Sequence, residues 1–223
     1  MARVIAPLRV ERIRENVCAA RAEIERAAAR VGRDPDEVEL LAAVKYLPVD
    51  ELPVLAQAGV TLVGENRAQQ LQAKASAYGD LFTWDFIGAL QSKHVRLIVP
   101  HVRLIHSLAS DSALRELERL RDRARPGMGV LIEVNLSGEP AKAGIAPDQL
   151  DELIARCSVP VRGLMTMPPL SDDPHDSRPY FRRLHALARE RGLPTLSMGT
   201  SQDFAVAVEE GSTIVRIGTR LYA

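Results

Sequence analysis

The stretch VELLAAVKYLPVDELPVLAQAGVTLV (Val38–Val63) places two short apolar runs, Val38–Val44 and Val60–Val63, on either side of a segment with helical period, Asp50–Ala58. The first run ends at Lys45 and the helical segment ends at Gly59. Near-continuous apolar strands joined through a helix indicate parallel pairing, in which each strand is covered on both faces.

The same unit recurs along the chain. Further strands are predicted at Thr83–Ile87, Arg103–His106, Gly129–Asn135, Val161–Met165, Pro194–Met198 and Ile214–Ile217. The intervening helical segments are Glu65–Ala77, Leu90–Val99, Asp111–Ala124, Pro147–Arg156, Asp176–Arg191 and Gln202–Glu209. Ser110 before Asp111 and Pro147-Asp148 before Leu150 are good helix starts, while Gly192 and Gly211 are good stops. An Ala-rich helix over Leu8–Val31 precedes the first strand. Eight strands interleaved with seven helices predict an α/β fold, a single (β/α)8 TIM barrel rather than an open sheet. After the last strand only Thr219–Ala223 remain, too few for an eighth helix, so the N-terminal helix is expected to cover the face left bare. Pro168-Pro169 and the polar Ser171–His175 form one long loop after strand six.

The 223 residues suit one domain, with 46% apolar and 26% charged residues. Lys plus Arg and Asp plus Glu are balanced at 29 each, so no net field gathers nucleic acid or anionic lipid. The basic run Arg115–Arg125 alternates with acids at helical spacing and reads as a solvated helix face. Cys18 and Cys157 each stand alone, which disfavours a disulfide framework and fits a reducing compartment. No run of about 18 apolar residues suggests a membrane span, and Met1–Arg14 has no apolar core of a signal peptide. The expected location is cytoplasmic. His94, His101, His106, His175 and His185 show no metal-ligand spacing, and no Gly-x-Ser-x-Gly elbow or Gly-rich nucleotide fingerprint appears.

In a (β/α)8 barrel, ligands bind at the C-terminal strand ends and phosphate is commonly held after strands seven and eight. Those ends carry Lys45, Glu65-Asn66, Gly88, His106-Ser107, Asn135, Thr166, Gly199-Thr200-Ser201 and Gly218-Thr219. By strand alternation Lys45 shares a face with Ala43 and Leu41. If that face is the interior, the ammonium is desolvated, its pKa falls, and its amine is free to attack an aldehyde. The plainer reading is a strand-end lysine reaching water. Ser197-Met198-Gly199-Thr200-Ser201 and Arg216-Ile217-Gly218-Thr219 each offer a Gly-hydroxyl turn suited to an anion, although such turns also cap helices generally. Arg216 shares a face with Ile214 and Gly218, stays charged, and either points at a ligand or pairs with Glu133. Against a pyridine nitrogen it would donate a hydrogen bond and oppose protonation there, making a poor electron sink.

These residues also carry a resemblance to the YggS/PROSC-type pyridoxal phosphate homeostasis proteins, over nearly the whole chain. The matching motifs are Leu40–Lys45, Val63–Arg67, Phe86–Gln91, Val134-Asn135, Gly163–Pro169, Ser197-Met198-Gly199 with Ser201 and Asp203, and Val215–Thr219. The resemblance implies that residues 1–223 form one domain like the N-terminal barrel of alanine racemase. It implies pyridoxal 5′-phosphate (PLP) as an aldimine on Lys45, phosphate held around Ser201, Gly218 and Thr219, and Arg216 near the pyridine nitrogen. Asn66, Asn135, Met198, Gly199 and Thr200 complete the implied cofactor site, and Lys142 matches a second family lysine that interacts with free PLP. Three positions depart from the pattern. Asp85 stands where a His commonly precedes Phe-Ile-Gly; Gln91-Ser92-Lys93-His94 replaces Gln-x-Asn-Lys; Ala43-Val44-Lys45-Tyr46 replaces Val-Ser-Lys-Thr.

The expected function is therefore intracellular PLP (vitamin B6) homeostasis and delivery by a monomer without catalytic residues or metal, with PLP-dependent apo-enzymes as partners. A PLP-dependent amino-acid racemase is the alternative, but two-base racemisation needs an acid/base on each face of the substrate and no second domain is evident. A Schiff-base aldolase is a third reading, disfavoured because no Asp–Lys pair stands at neighbouring strand ends.

Overall fold

Alternate residues of the strands enter two separate apolar clusters. Leu41, Leu62, Leu104, Leu131, Met165 and Ile214 pack together with Ile87 as one cluster inside the sheet. Their neighbours in sequence, among them Leu40, Ala42, Val63, Ile105, Val130, Ile132, Leu164 and Val215, join the larger cluster shared with the helices. This is the two-sided burial that a closed parallel sheet demands.

The computed structural model describes residues 7–139 and 142–222. The first six residues of the Met1–Arg14 segment, residues 140 and 141 of the loop before Gly144, and Ala223 lie outside the described residues. The strands are β1 Glu39–Ala43, β2 Leu62–Glu65, β3 Thr83–Phe86, β4 Leu104–Leu108, β5 Gly129–Glu133, β6 Val161–Met165, β7 Thr195–Thr200 and β8 Ile214–Ile217. Each pairs in parallel with the next, and β8 pairs with β1 to close the barrel. The helices are α1 Val10–Arg30, α2 Leu52–Gln57, α3 Ala68–Tyr78, α4 Val95–Ile98, α5 Asp111–Arg119, α6 Leu150–Arg156, α7 Arg178–Glu190, α8 Phe204–Glu209 and α9 Thr219–Tyr222. The (β/α)8 barrel expected from the sequence is the fold observed.

Several boundaries moved for local reasons. β2 begins at Leu62 rather than Val60, because the Val60 N–H is taken by the Leu55 carbonyl in the C-terminal cap of α2. α3 begins at Ala68 rather than Glu65. Glu65 belongs to β2, and its Oε1 accepts the N–H groups of Asn66 (2.7 Å) and Arg67 (3.1 Å) that precede the helix. α8 begins at Phe204 because residues 201–203 form a separate turn.

α1 covers the face that the short last helix leaves open. It buries Ile13, Ala20, Ile24, Ala27 and Ala28, which recur at helical spacing, and it packs on α8 and α9. Each fully buried Ile contributes roughly 1.5–3 kcal/mol. Asn16 Nδ2 donates to the Leu221 carbonyl (3.0 Å), and Arg220 bonds to Glu23. Trp84 is a packing residue, buried edge-on to Phe82. No helix of the described residues is long and apolar enough to cross a membrane.

Candidate functional site

The C-terminal rim joins first and last strands, because β1 and β8 are neighbours in the closed barrel. Leu41 pairs with Arg216 and Ala42 with Ile217. A Cβ added to Gly218 would lie 3.5 Å from that of Ala43, so the β8 turn runs alongside the end of β1. Lys45 therefore follows a strand end that lies beside the β8 turn.

The expectation of a desolvated Lys45 is corrected: its side chain is exposed, with Nζ 4.9 Å from the centroid of the Tyr46 ring. Alternation stops because β1 ends at Ala43 and a turn follows, closed by the Leu47 N–H on the Val44 carbonyl (3.1 Å). The backbone below the lysine is nevertheless pinned. Tyr222 Oη donates to the Ala43 carbonyl (3.2 Å), the Val44 N–H donates to the Gly64 carbonyl (2.9 Å), and Lys74 Nζ donates to the Val44 carbonyl (2.7 Å). Lys74 is fully buried and also pairs with Glu65 at 2.6 Å.

The β7 and β8 turns meet directly. The Gly218 N–H donates to Ser201 Oγ (3.2 Å). Gly199, at φ +92°, lets β7 press onto α8; a Cβ there would meet that of Ala207 at 2.5 Å and Cα of Phe204 at 2.9 Å. Asp203 shapes the turn: its Oδ1 accepts the Thr200 N–H (2.7 Å) and Oγ1 (3.1 Å), and its Oδ2 accepts Ser177 Oγ (2.8 Å). Thr200 thus holds the turn with its own hydrogens, while Ser201 and Thr219 remain on the rim, half-buried and exposed respectively.

Arg216 forms the floor below these turns and is buried. Its Nη1 donates to the carbonyl (2.8 Å) and hydroxyl of Ser197, and its Nη2 donates to the Thr166 carbonyl (3.2 Å) and Met167 Sδ (2.8 Å). Burial lowers its pKa to about 10, against the opposing charges of Glu133 and Asp203, and it remains a cation at neutral pH. Glu133 is pushed above the usual carboxylate range by burial, with Arg216 working the other way. The guanidinium's donors go to β7 and the end of β6 rather than to Glu133.

Ser197 links Arg216 to a network that sequence reading missed. His106 Nδ1 lies 2.8 Å from Ser197 Oγ, and His106 Nε2 lies 3.1 Å from Asp85 Oδ2. Asp85 in turn accepts from Arg103 Nε (3.1 Å) and Nη2 (2.7 Å), and Arg103 Nη1 reaches Glu39 (2.6 Å). Burial alone would raise the Asp85 pKa, but His106 and Arg103 outweigh it and hold the carboxyl below its ordinary value. Burial lowers the His106 pKa despite Asp85. His106 is thus a satisfied interior histidine.

The other candidates divide. Asn66 stands at the rim with its Oδ1 buried and without a hydrogen-bond partner. The end of β3 crosses it so closely that a Cβ on Gly88 would collide with its backbone. Asn135 is engaged in its own loop, Nδ2 donating to the Glu139 (2.9 Å) and Lys142 (3.4 Å) carbonyls and Oδ1 accepting from Ser137 and Gly138. The Met198 side chain is buried in the cluster outside the sheet, so only its backbone faces the rim. Lys142 lies 3.9 Å from Glu139. Among the described residues no three His, Cys, Asp or Glu side chains cluster as metal ligands.

An eight-stranded parallel barrel whose rim gathers an amine, two joined hydroxyl–amide turns and a buried guanidinium defines the class, a barrel of the alanine racemase N-terminal type. The family described as "Alanine racemase, N-terminal domain" matches residues 16–223. The pyridoxal phosphate homeostasis protein of Aquifex aeolicus is 42% identical over 210 residues, covering 89% of this chain and 92% of that protein. Its namesake from Pseudomonas aeruginosa is 37% identical over 94% of each. The chain belongs to the pyridoxal phosphate homeostasis protein family. Among solved structures, PipY of Synechococcus elongatus with PLP bound aligns at TM-score 0.75 and 31% identity, covering 90% of this chain and all of that one. A protein of unknown function from Bifidobacterium adolescentis aligns at TM-score 0.85 and 30% identity, over 98% of this chain and 99% of that one. Alanine racemase of Corynebacterium glutamicum, at 18% identity, 96% of this chain, 62% of its own length and TM-score 0.68, shares the fold.

Proposed function

We propose that this chain, as a single domain over residues 1–223, binds pyridoxal 5′-phosphate as a Schiff base on Lys45. It would hold and deliver the cofactor within the cell, to PLP-dependent apo-enzymes, without catalysing a reaction on it. The observation that carries the reading is the Ser201–Gly218 bond, which brings two anion-suited turns together next to β1, the strand that precedes Lys45. PLP bound by PipY and the names of the curated relatives support it.

The residues present fit the group. Ser201 and Thr219 supply hydroxyls, and the rim amides beside them supply N–H donors for a phosphate. Asn66 Oδ1 is a buried acceptor without a protein donor. Arg216 is a donor-only cation. Its contact to the Met167 thioether is the weakest of its four and the one most readily released to a ligand. Lys45 supplies the amine, which condenses with an aldehyde to form C=N and release water. PLP, when bound, supplies that aldehyde and an electron-accepting ring.

The exposure of Lys45 supports delivery over catalysis, since an amine open to solvent is also open to the water or second amine that would release an aldehyde from it. A cation beside the ring nitrogen keeps that nitrogen unprotonated and weakens carbanion stabilisation. Burial and the charge of Glu65 push the Tyr222 hydroxyl pKa upward, so this tyrosine, bonded to the Ala43 carbonyl, stays protonated and makes a poor second base. A cytoplasmic monomer completes the proposal, to be checked by fractionation and light scattering.

The test is the absorbance of the purified protein before and after borohydride, followed by peptide mapping. A yellow protein labelled at Lys45, with Lys45→Ala unlabelled and no Cα deuterium exchange above buffer, is expected. A covalent adduct that persists in Lys45→Ala would overturn the lysine assignment, and amino-acid exchange at Cα would make the protein a racemase.

A further inference from the structure

Four buried side chains from β3, β4, β7 and β8 meet inside the barrel: Asp85, His106, Ser197 and Arg216. Their donor and acceptor capacities leave one arrangement. Arg216 only donates, so Ser197 Oγ accepts from Nη1, and the serine hydrogen is free for His106 Nδ1. At the other end Asp85 is ionised and already takes two N–H bonds from Arg103, so it only accepts. The hydrogen on the imidazole must then be on Nε2, pointing at Asp85 Oδ2.

We infer that Asp85, His106 and Ser197 form a one-way hydrogen-bond relay that fixes the guanidinium of Arg216 at the floor of the barrel mouth, making them positioning residues for the ligand held there. The functional part rests on the PLP site proposed above. Each bond runs in the same sense, from Arg216 through Ser197 and His106 to Asp85. Turning the guanidinium would break the bond to Ser197 and leave a buried hydroxyl or imidazole nitrogen unpaired. The charged groups around the relay are Arg103 on the β4 side, Arg216 on β8 and Glu133 on β5. The two cations disfavour adding a proton to His106, whereas Asp85 favours it. The chain's departure at Asp85 acquires a role in this way: an acceptor at that point sets the direction of every bond above it.

The tautomer is read in the full chain without ligand, by nitrogen NMR on histidine-labelled protein. His106 should show a protonated Nε2 and an unprotonated, hydrogen-bonded Nδ1, from mildly acidic to mildly alkaline pH. In Ser197→Ala, Nδ1 should shift to the position of an unbonded acceptor. In PLP-loaded protein, Ser197→Ala and His106→Leu should move the visible band and release PLP about tenfold faster. His106→Gln, which still donates to Asp85, should lie closer to wild type. A hydrogen on Nδ1 or on both nitrogens of the wild type overturns the relay. So do an unchanged band and release rate in Ser197→Ala. A wild-type protein that takes up no PLP removes the proposed function instead, while the ligand-free tautomer still decides the relay.

Discussion

The ammonium of Lys74 donates to the carbonyl of Val44, the residue immediately before Lys45, and does so from a fully buried position on α3. The same ammonium pairs with Glu65, whose other oxygen holds the first amides after β2. One ion pair thereby braces the ends of β1 and β2 under the exposed lysine. Lys74→Met should cost roughly 3–5 kcal/mol in a urea titration, because it leaves Glu65 buried without a counter-charge. Adding Glu65→Gln should restore a large part of that loss. A single variant as stable as wild type would show that the pair is not a brace.

Ser201→Ala removes an acceptor for the Gly218 N–H and a hydroxyl on the rim, with little change in core volume. PLP affinity should fall about tenfold with the melting temperature nearly unchanged. Equilibrium dialysis with PLP checks this, and unaltered affinity would rule the β7 turn out of the phosphate site.

Gly199→Ala places a methyl group at φ +92° against Ala207 and the backbone of Phe204. The backbone strain alone costs ~2 kcal/mol. Thermal unfolding should show a clear loss of stability, larger than for Gly32→Ala, where φ is also positive but nothing stands within 4 Å.

Stability should decline as pH falls below about 6.5. The folded pKa of His106 is depressed from its ordinary 6.5, so below that pH the unfolded chain binds a proton that the folded chain refuses. Asp85 is also depressed, from 3.8; its contribution is present above that value and is lost as pH falls through the still lower folded pKa. Glu133 acts in the opposite sense, since its raised pKa relieves a buried charge as pH drops. His106→Gln should flatten the mildly acidic part of the curve in urea titrations at a series of pH values. An identical slope in the variant would assign the acid sensitivity elsewhere.

The barrel was legible because eight short apolar runs alternate with helical segments, and β6 and β8 were placed to the residue. Boundaries slipped where a cap consumed strand residues, as at Val60, or where a carboxylate ended a strand, as at Glu65. The outward direction of Lys45 was not legible, because the turn that follows Ala43 suspends strand alternation before the lysine is reached. The relay was hidden for a different reason. His106 and Ser197 are separated by 91 positions, and strand periodicity says which face a residue takes but not which residue stands across the barrel from it. Lys74 did leave a signal: it lies on the same helix face as Ala68, Leu71 and Ala75, an odd place for a charge without a buried partner.

The clasp between Asn16 and Leu221, 205 positions apart, has a consequence for biosynthesis. α1 is made well before α8 and α9, so its apolar stripe stays uncovered until the surface it packs on follows. The stretch from β8 to α9 also delivers the β8 turn and the Tyr222 hydroxyl that anchors Ala43. The pocket therefore assembles only once the stretch from α8 through β8 to α9 has followed the rest of the barrel into place.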